Sequence, residues 1–579
     1  MSERAPPPTF KIGLSLAGAV SAGAYTAGVL DFLLEALDCW TAAQARDEPL
    51  PRHRVSLETA SGASAGAMCA ALLAIVLPYR FPHVRIAANG ELDTQGQGLA
   101  SSNPLYRAWV ETIDIQPLLA TADLDRGEFD ALLNCDVIDA ILHRSLLYSA
   151  TPQSRPYVTR PFVVRFALGN LRGVPYRIDF RGNKKVNDEA MTEHADYQGF
   201  LLGGDAAHVD AMPDYLCGHA RLAAESIADL PQWQALGDAA IASGAFPLFL
   251  KPRLITRDAG DYGWRHFAEA STPSGKPKPI PPAWADPNKP PAPYSFASVD
   301  AGMYNNEPFE LVREVIAGGP GCSNPRDAQA ANGAVLMVAP FMSTPDDGPA
   351  PQTVIDPVTQ RPRLRLPPLS QILPLIGGWI MQSRFNPLDL AMAYDESVYS
   401  RFVIAPTGSK APEASAEWIA SGTLQGFLGF FHEDFRKHDF QLGRRNCQQF
   451  LREHFTLPAD NPIVREGYAG LDETALQRYR NSDGQLPIIP LLGAASVDEG
   501  LMDWPADRFT LDAVMPSIEQ RLDALFRLHR AQALAGTSSW LARQVLRFGL
   551  SALWSLVGRA ALKKRIAGAI TAAIQRQAL

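Results

Sequence analysis

Ser64 stands in Gly62-Ala63-Ser64-Ala65-Gly66, one hydroxyl walled in by the smallest residue types. A G-x-S-x-G run suits a sharp strand-to-helix turn. Small residues let backbones approach there and lift a serine into the open as a nucleophile. A tightly packed turn with an idle serine gives the same pattern, which arises by chance in about one chain in five of this composition. Two further stretches bear on the choice. "SLAGAVSAGAYTAGVL", residues 15–30, sets Gly18, Gly23 and Gly28 between a strand and a helix. Backbone N–H groups at such a loop, backed by a helix N-terminus, can hold an anion. A phosphate cradle, an oxyanion hole and plain helix–strand packing all fit this loop, although no Gly-Lys-Ser/Thr follows it. "SFASVDAGMYNNEP", 295–308, ends an apolar run on Asp300, followed by Ala301-Gly302. A carboxylate at the end of a strand can meet a serine on a neighbouring elbow, or simply close an Asx-turn.

The elements that must position these groups read as an alternation. "FKIGLSLAG" is a strand, and "GAYTAGVLDFLLEALDCW" is a helix with Tyr25, Val29, Phe32, Leu33 and Leu37 at helical spacing. "RVSLETA" is a second strand, followed by the Ser64 elbow and another helix. Alternation at these lengths implies a right-handed parallel unit in an α/β layer fold. "RPFVVRFALGNLRGVPYRIDF", 160–180, reads as two strands joined by a short turn, and "ANGAVLMVAPF", 331–341, as a buried strand.

At 579 residues the chain exceeds one ordinary domain. The reading gives 1–342 as the catalytic domain, 343–369 as a Pro-rich connector, 370–465 as a helical extension and 466–579 as a C-terminal helical region. Between 271 and 293 nine residues are proline, so that segment is expected to be extended, a loop or a lid before Asp300. The opening "MSERAPPPTFKIGL" has no apolar run before a cleavage site, so a secretory leader is not expected. The six cysteines are scattered, with no C-x-x-C pair, which suits a reducing cytoplasm and argues against a thiolate metal site. No H-E-x-x-H is present, and no metal is expected.

Together the three pieces resemble the patatin-like phospholipase family. Its A-Y-x-x-G-V-L after the glycine loop is matched by Ala24 to Leu30, its elbow by Gly62 to Gly66, and its D-G-G or D-G-A turn by Asp300-Ala301-Gly302. The Asn-x-Pro that follows is matched by Asn306-Glu307-Pro308, and a P-x-x-F-x-P segment is approximated by "ASGAFPLFLKP", 242–252, where Phe249 stands one place early. The loop departs from the usual G-G-G-x-R-G: Ala19 and Val20 stand where glycines are usual, and Ala22 where arginine is usual. The resemblance implies a three-layer α/β/α sandwich with a mainly parallel central sheet, plus a largely helical C-terminal extension. It implies a serine lipid acyl hydrolase with Ser64 as nucleophile, Asp300 as base, and N–H groups of Gly18, Ala19, Val20 and Ala65 as oxyanion hole. It implies a lipid substrate and neither cofactor nor nucleic acid. A Ser–His–Asp esterase would instead draw on His432, His438, His454 or His529. A membrane-associated scaffold with a degenerate site is a third reading.

Charge is unevenly placed. The net is −8 overall, yet 525–579 carries nine Lys and Arg and no acid, which leaves −8 − 9 = −17 on the remainder. The Trp-bearing basic segment 538–574 lacks the ~20 uncharged residues needed to span a bilayer. It suits a helix lying on an anionic membrane surface, or one packed on the acidic body of this chain or of a second copy. An oligomer stays open. Arg444-Arg445 reads as a solvated helix end or a phosphate contact.

Overall fold

In the computed structural model, described residues run from 7 to 579, apart from 47–48, 86–101, 180–187, 204–212, 224–230, 266–279, 287–288, 342–352, most of 365–396, 413–417, and 536–557 save 544. From Ile12 onward every residue of β1 (Thr9–Leu16) is buried, so both of its faces are covered. Such a strand belongs in the middle of a parallel sheet with helices on each side. β1 pairs parallel with β2 (Arg54–Gly62) on one side and with β8 (Gly333–Val338) on the other. β2 continues in parallel to β3 (Val158–Asp179). Antiparallel pairing begins there, with β4 (Asp188–Leu202) and with β7 (Tyr294–Val299), which in turn pairs β6 (Arg253–Arg257). The short β5 (Ala220–Leu222) closes the β4 edge.

Helices cover both faces. α1 (Gly23–Gln44), α2 (Ala65–Val76) and α4 (Pro231–Ser243) bury apolar residues in the main core. α5 (Phe309–Ile316) lays Phe309, Val312 and Ile316 against Val335 of β8. The result is an α/β sandwich with a mainly parallel central sheet. α1, with the turn before it, is long and apolar enough to cross a membrane, but 94% of its most apolar window is buried in the fold. It is a core helix.

Three expectations change. Residues 158–179 form one long strand rather than two. The Gly- and Asn-containing stretch bends it: Asn170 Oδ1 accepts the N–H groups of Arg172 and Gly173, and the register with β4 shifts between Gly169 and Val174. The boundary at 342/343 does not separate two bodies. The connector holds a small hairpin, β9 (Thr353–Ile355) with β10 (Pro362–Leu364), but β11 (Arg401–Ile404) then pairs parallel with β8 as the edge of the central sheet. α6 (Glu433–Glu453) packs along α1 so closely that a β-carbon on Gly28 would lie 1.9 Å from the Phe440 carbonyl oxygen. The Gly28 of the glycine-rich stretch therefore serves helix contact, not an anion.

Arg444 is the third. It is fully buried and ion-paired with Asp31 and Glu35 of α1 and with Glu499. It is neither solvated nor free for a phosphate, and it ties α6 to α1. Burying three carboxylates with so few cations nearby is tolerable because Arg444, Arg85 and a ring nitrogen of His83 meet them directly.

Candidate active site

β1 and β2 end side by side, and the chain leaves each by a tight turn. After β2 comes Ser64, with φ 52° and ψ −123°, a conformation non-glycine residues rarely adopt. The neighbouring glycines allow it. A β-carbon on Gly62 would lie 2.3 Å from the Gly66 backbone, and one on Gly66 would lie 2.0 Å from the Leu16 carbonyl oxygen. The tight fold of the elbow on itself thus demands glycine at 62, and the close passage of β1 demands it at 66. Ser64 becomes the N-cap of α2, at the C-terminal end of the parallel strands, where α/β sheets form their crevices.

Ser64 Oγ donates to Asp300 Oδ2 at 2.8 Å. Asp300 follows β7, and its other carboxylate oxygen accepts the Gly302 N–H at 2.7 Å. Its own N–H donates to the Ala245 carbonyl at 2.9 Å, which fixes the turn to the 242–252 segment. The Asx-turn and the contact with serine therefore coexist. Asp300 is buried, and burial pushes its carboxyl up to about 6, although the hydrogen bonds from Ser64 and Gly302 pull the other way. Among the described residues no histidine bonds to Ser64 or Asp300. His432 Nδ1 accepts the Asp434 N–H, the His438 ring faces Asp439, and His529 packs near Phe129.

The glycine loop lies against the elbow. A β-carbon on Gly18 would sit 3.1 Å from Ser64 Cβ. Gly18 N–H donates to the Asn306 carbonyl at 3.1 Å, so it is not available to an oxyanion, which corrects the expected donor set. Ala19, Val20 and Ala65 remain. Val20 holds φ 47°, a strained value for a β-branched residue at a position where glycine is usual in the resembled family. Ala22, where arginine is usual there, is fully buried in the core, a site that could not hold an unpaired guanidinium.

Ser64 and Asp300 open onto an apolar cavity of about 110 Å³. Among the described residues, apart from these two and Ser145, every lining residue is apolar. Three helices supply one face each: α2, α4 and α3 (Asp136–Leu146). On α2 the lining residues are Ala65, Met68, Ala71, Leu72 and Ile75, one stripe of the helix. Phe427 and Phe430, from the C-terminal part of the chain, close the wall. Phe427 packs on Phe249 and Phe246 with ring centres 5.6 and 6.2 Å apart. Sequence reasoning missed both phenylalanines, and also Ser243, whose hydroxyl accepts the Ser64 N–H at 2.9 Å. Ser243 lies inside the 242–252 segment that carried the resemblance, which was its available signal.

The basic C-terminal region divides. Most of the Trp-bearing stretch 538–557 lies outside the described residues, as does much of the Pro-rich 271–293 segment. α8 (Arg559–Gln577) is docked on the chain's own body. Ile570 and Ala573 are buried, Gln577 Nε2 donates to the Ile419 carbonyl, and Arg559 pairs with Glu519 and Asp523 of α7 (Met515–Ala535) at 3.2 and 2.9 Å.

No family model matches the chain. VipD from Legionella pneumophila aligns over 99% of this chain and 90% of its own, at 12% identity and a TM-score of 0.23, a likeness too slight to carry an argument about fold or chemistry. The protein y4iI of Sinorhizobium fredii (strain NBRC 101917 / NGR234), itself uncharacterized, is 35% identical over 594 aligned positions, which span 95% of this chain and 79% of that relative. On that extent of shared sequence, this chain belongs to the same protein family as y4iI.

Proposed function

We propose that the protein is a serine carboxylic-ester hydrolase that cleaves acyl esters of lipids through Ser64 and Asp300. The observation that carries this reading is the 2.8 Å hydrogen bond from a strained serine to a buried carboxylate at the mouth of an apolar cavity. In this reading ionised Asp300 takes the Ser64 hydroxyl proton as Oγ attacks the ester carbonyl. The tetrahedral oxyanion faces N–H groups of Ala19, Val20 and Ala65, each worth roughly 10²–10³ in rate. The C–O bond to the leaving alcohol breaks, and Asp300 returns the proton to that oxygen. Water, deprotonated by Asp300, then attacks the acyl-enzyme, the Oγ–acyl bond breaks, and Asp300 passes the proton to Ser64 Oγ as the acid leaves.

The cavity also suggests the size of the acyl group. Ala65 and Ile75 lie ten positions apart on α2, or ~15 Å at helical rise. An extended alkyl chain built from bonds of ~1.5 Å advances ~1.3 Å per carbon, so the stripe is as long as ~12 carbons, while the cavity's volume of about 110 Å³ houses only the few carbons nearest the ester.

The test is a fluorophosphonate probe together with ester hydrolysis by the purified chain. Ser64 should be labelled, and Ser64→Ala and Asp300→Asn should each drop hydrolysis to near background, since general-base assistance alone is worth roughly 10²–10⁴. A Ser64→Ala protein that hydrolyses esters at the parent rate refutes the reading.

A further inference from the structure

Behind the wall of the acyl cavity lies a second concavity of different character. It measures about 450 Å³ and is lined by Arg80, Arg107 and Arg144, together with Ser102, Leu147 and Tyr148. It shares no lining residue with the apolar cavity, yet the same short helical segments serve both. Arg107 sits two residues from Trp109, and Arg144 is next to Ser145, both of which line the cavity. Among the described residues no acid lines it, and none of its three arginines makes an ion pair or a side-chain hydrogen bond. Arg80 and Arg144 are exposed and Arg107 is half-buried.

This is unusual for the molecule. Most of its other buried or half-buried arginines are met by carboxylates or carbonyls, as Arg155 is by Asp38 and Arg165 by Glu314. Three guanidinium groups around one hollow repel each other, and the arrangement is relieved when an anion sits among them. Guanidinium forks match the geometry of phosphate oxygens, and three of them exceed what one carboxylate can accept. The hydroxyls of Ser102 and Tyr148 add donors at the same place. Leu147, 54% exposed at the rim, offers an apolar contact to whatever carries the anion.

We propose that this pocket binds a phosphate group, borne either by a small soluble phosphate ester or by the head of an anionic lipid. The proposal does not depend on the role of Ser64.

The experiment titrates the full chain with glycerol 3-phosphate by calorimetry. In parallel it pellets the chain with phosphatidylcholine vesicles made with and without phosphatidic acid. Arg107→Gln/Arg144→Gln is compared with wild type, and Arg361→Gln, on the exposed hairpin, serves as control. Saturable binding of glycerol 3-phosphate that the double variant weakens by ~10-fold or more supports the pocket with a soluble ligand. Pelleting that requires phosphatidic acid and falls in the double variant, with no binding of the soluble ester, supports it with a lipid ligand. Thermal melting of the double variant checks its fold, and Arg80→Gln, at an exposed position, repeats the comparison should that variant melt early. Equal binding by wild type and both pocket variants, or no binding of either probe, overturns the proposal.

Discussion

Ser64 Oγ donates to Asp300 Oδ2 across 2.8 Å, although 236 positions of chain separate the two residues. The carboxylate is buried, and burial pushes its pKa up to about 6. If Asp300 is the base, hydrolysis needs it ionised. We expect kcat/KM on a soluble ester to fall tenfold per pH unit below about 6 and to level off above it. An acid limb centred near 4 would place the essential base elsewhere.

The same shift bears on stability. An acid whose folded-state pKa lies above its unfolded value binds its proton more tightly when folded. Its contribution is fully present below the unfolded value of ~4 and is lost as pH rises through about 6. Above that, holding the buried carboxylate ionised costs at most ~3 kcal/mol. Asp300→Asn removes that cost. Its melting temperature relative to wild type should rise between pH 4 and pH 8, while its activity is lost. A difference that stays flat with pH means the carboxylate is not strained by burial.

Ser64 carries a second cost, its φ of 52°. A residue held there loses roughly 1–3 kcal/mol, while glycine in its place loses ~0.5–1 through chain entropy. Ser64→Ala and Ser64→Gly should both be inactive, yet the glycine variant should be the more stable by ~1 kcal/mol in chemical denaturation. Equal stability of the two would mean that the elbow relaxes once the hydroxyl is gone.

What the sequence discloses follows from residue type. Ser64 and Asp300 sit in short runs whose small residues are unusual enough to be noticed, and the alternation of β1, α1, β2 and α2 has clear periods. Phe427 and Phe430 carry no such mark. A phenylalanine reads as core wherever it stands, and only packing decides which cavity it walls. Arg444 misleads for the opposite reason: arginine is almost never fully buried unless paired, and its partners Asp31 and Glu35 lie some 400 positions away. β11 hides because only four residues complete the sheet edge.

α8 bears on how the protein meets a lipid surface. Its Arg559 and Lys563 pair with α7, so they are not free to face a membrane. Lys564 and Arg565 are exposed. If this helix draws the protein to anionic vesicles, Lys564→Glu/Arg565→Glu should weaken pelleting by ~30-fold at low salt, from ~1 kcal/mol per basic residue. Truncation at Gly536 is the poorer test, because it strips Ile570 and Ala573 from the core they help to build. Unchanged pelleting of the double variant would leave α8 as a purely structural element.

The stripe along α2 invites the most direct probe of substrate. Met68, Ala71, Leu72 and Ile75 face the cavity in that order from Ser64, so Ile75 marks its far end if the acyl chain follows the helix. Tryptophan at 75 would fill the last turn and leave the stripe the length from Ala65 to Leu72, ~10 Å. The wild type should accept longer p-nitrophenyl esters than Ile75→Trp, which should move the preference to shorter chains while sparing the rate on a butyrate. Overpacking costs ~1–3 kcal/mol in a full core but less beside open space, so the variant should fold. The two failures are separable. Hydrolysis of no ester at any length goes against Ser64 as nucleophile, whereas hydrolysis with a flat or unmoved profile goes against α2 as the measure of chain length and leaves the nucleophile standing.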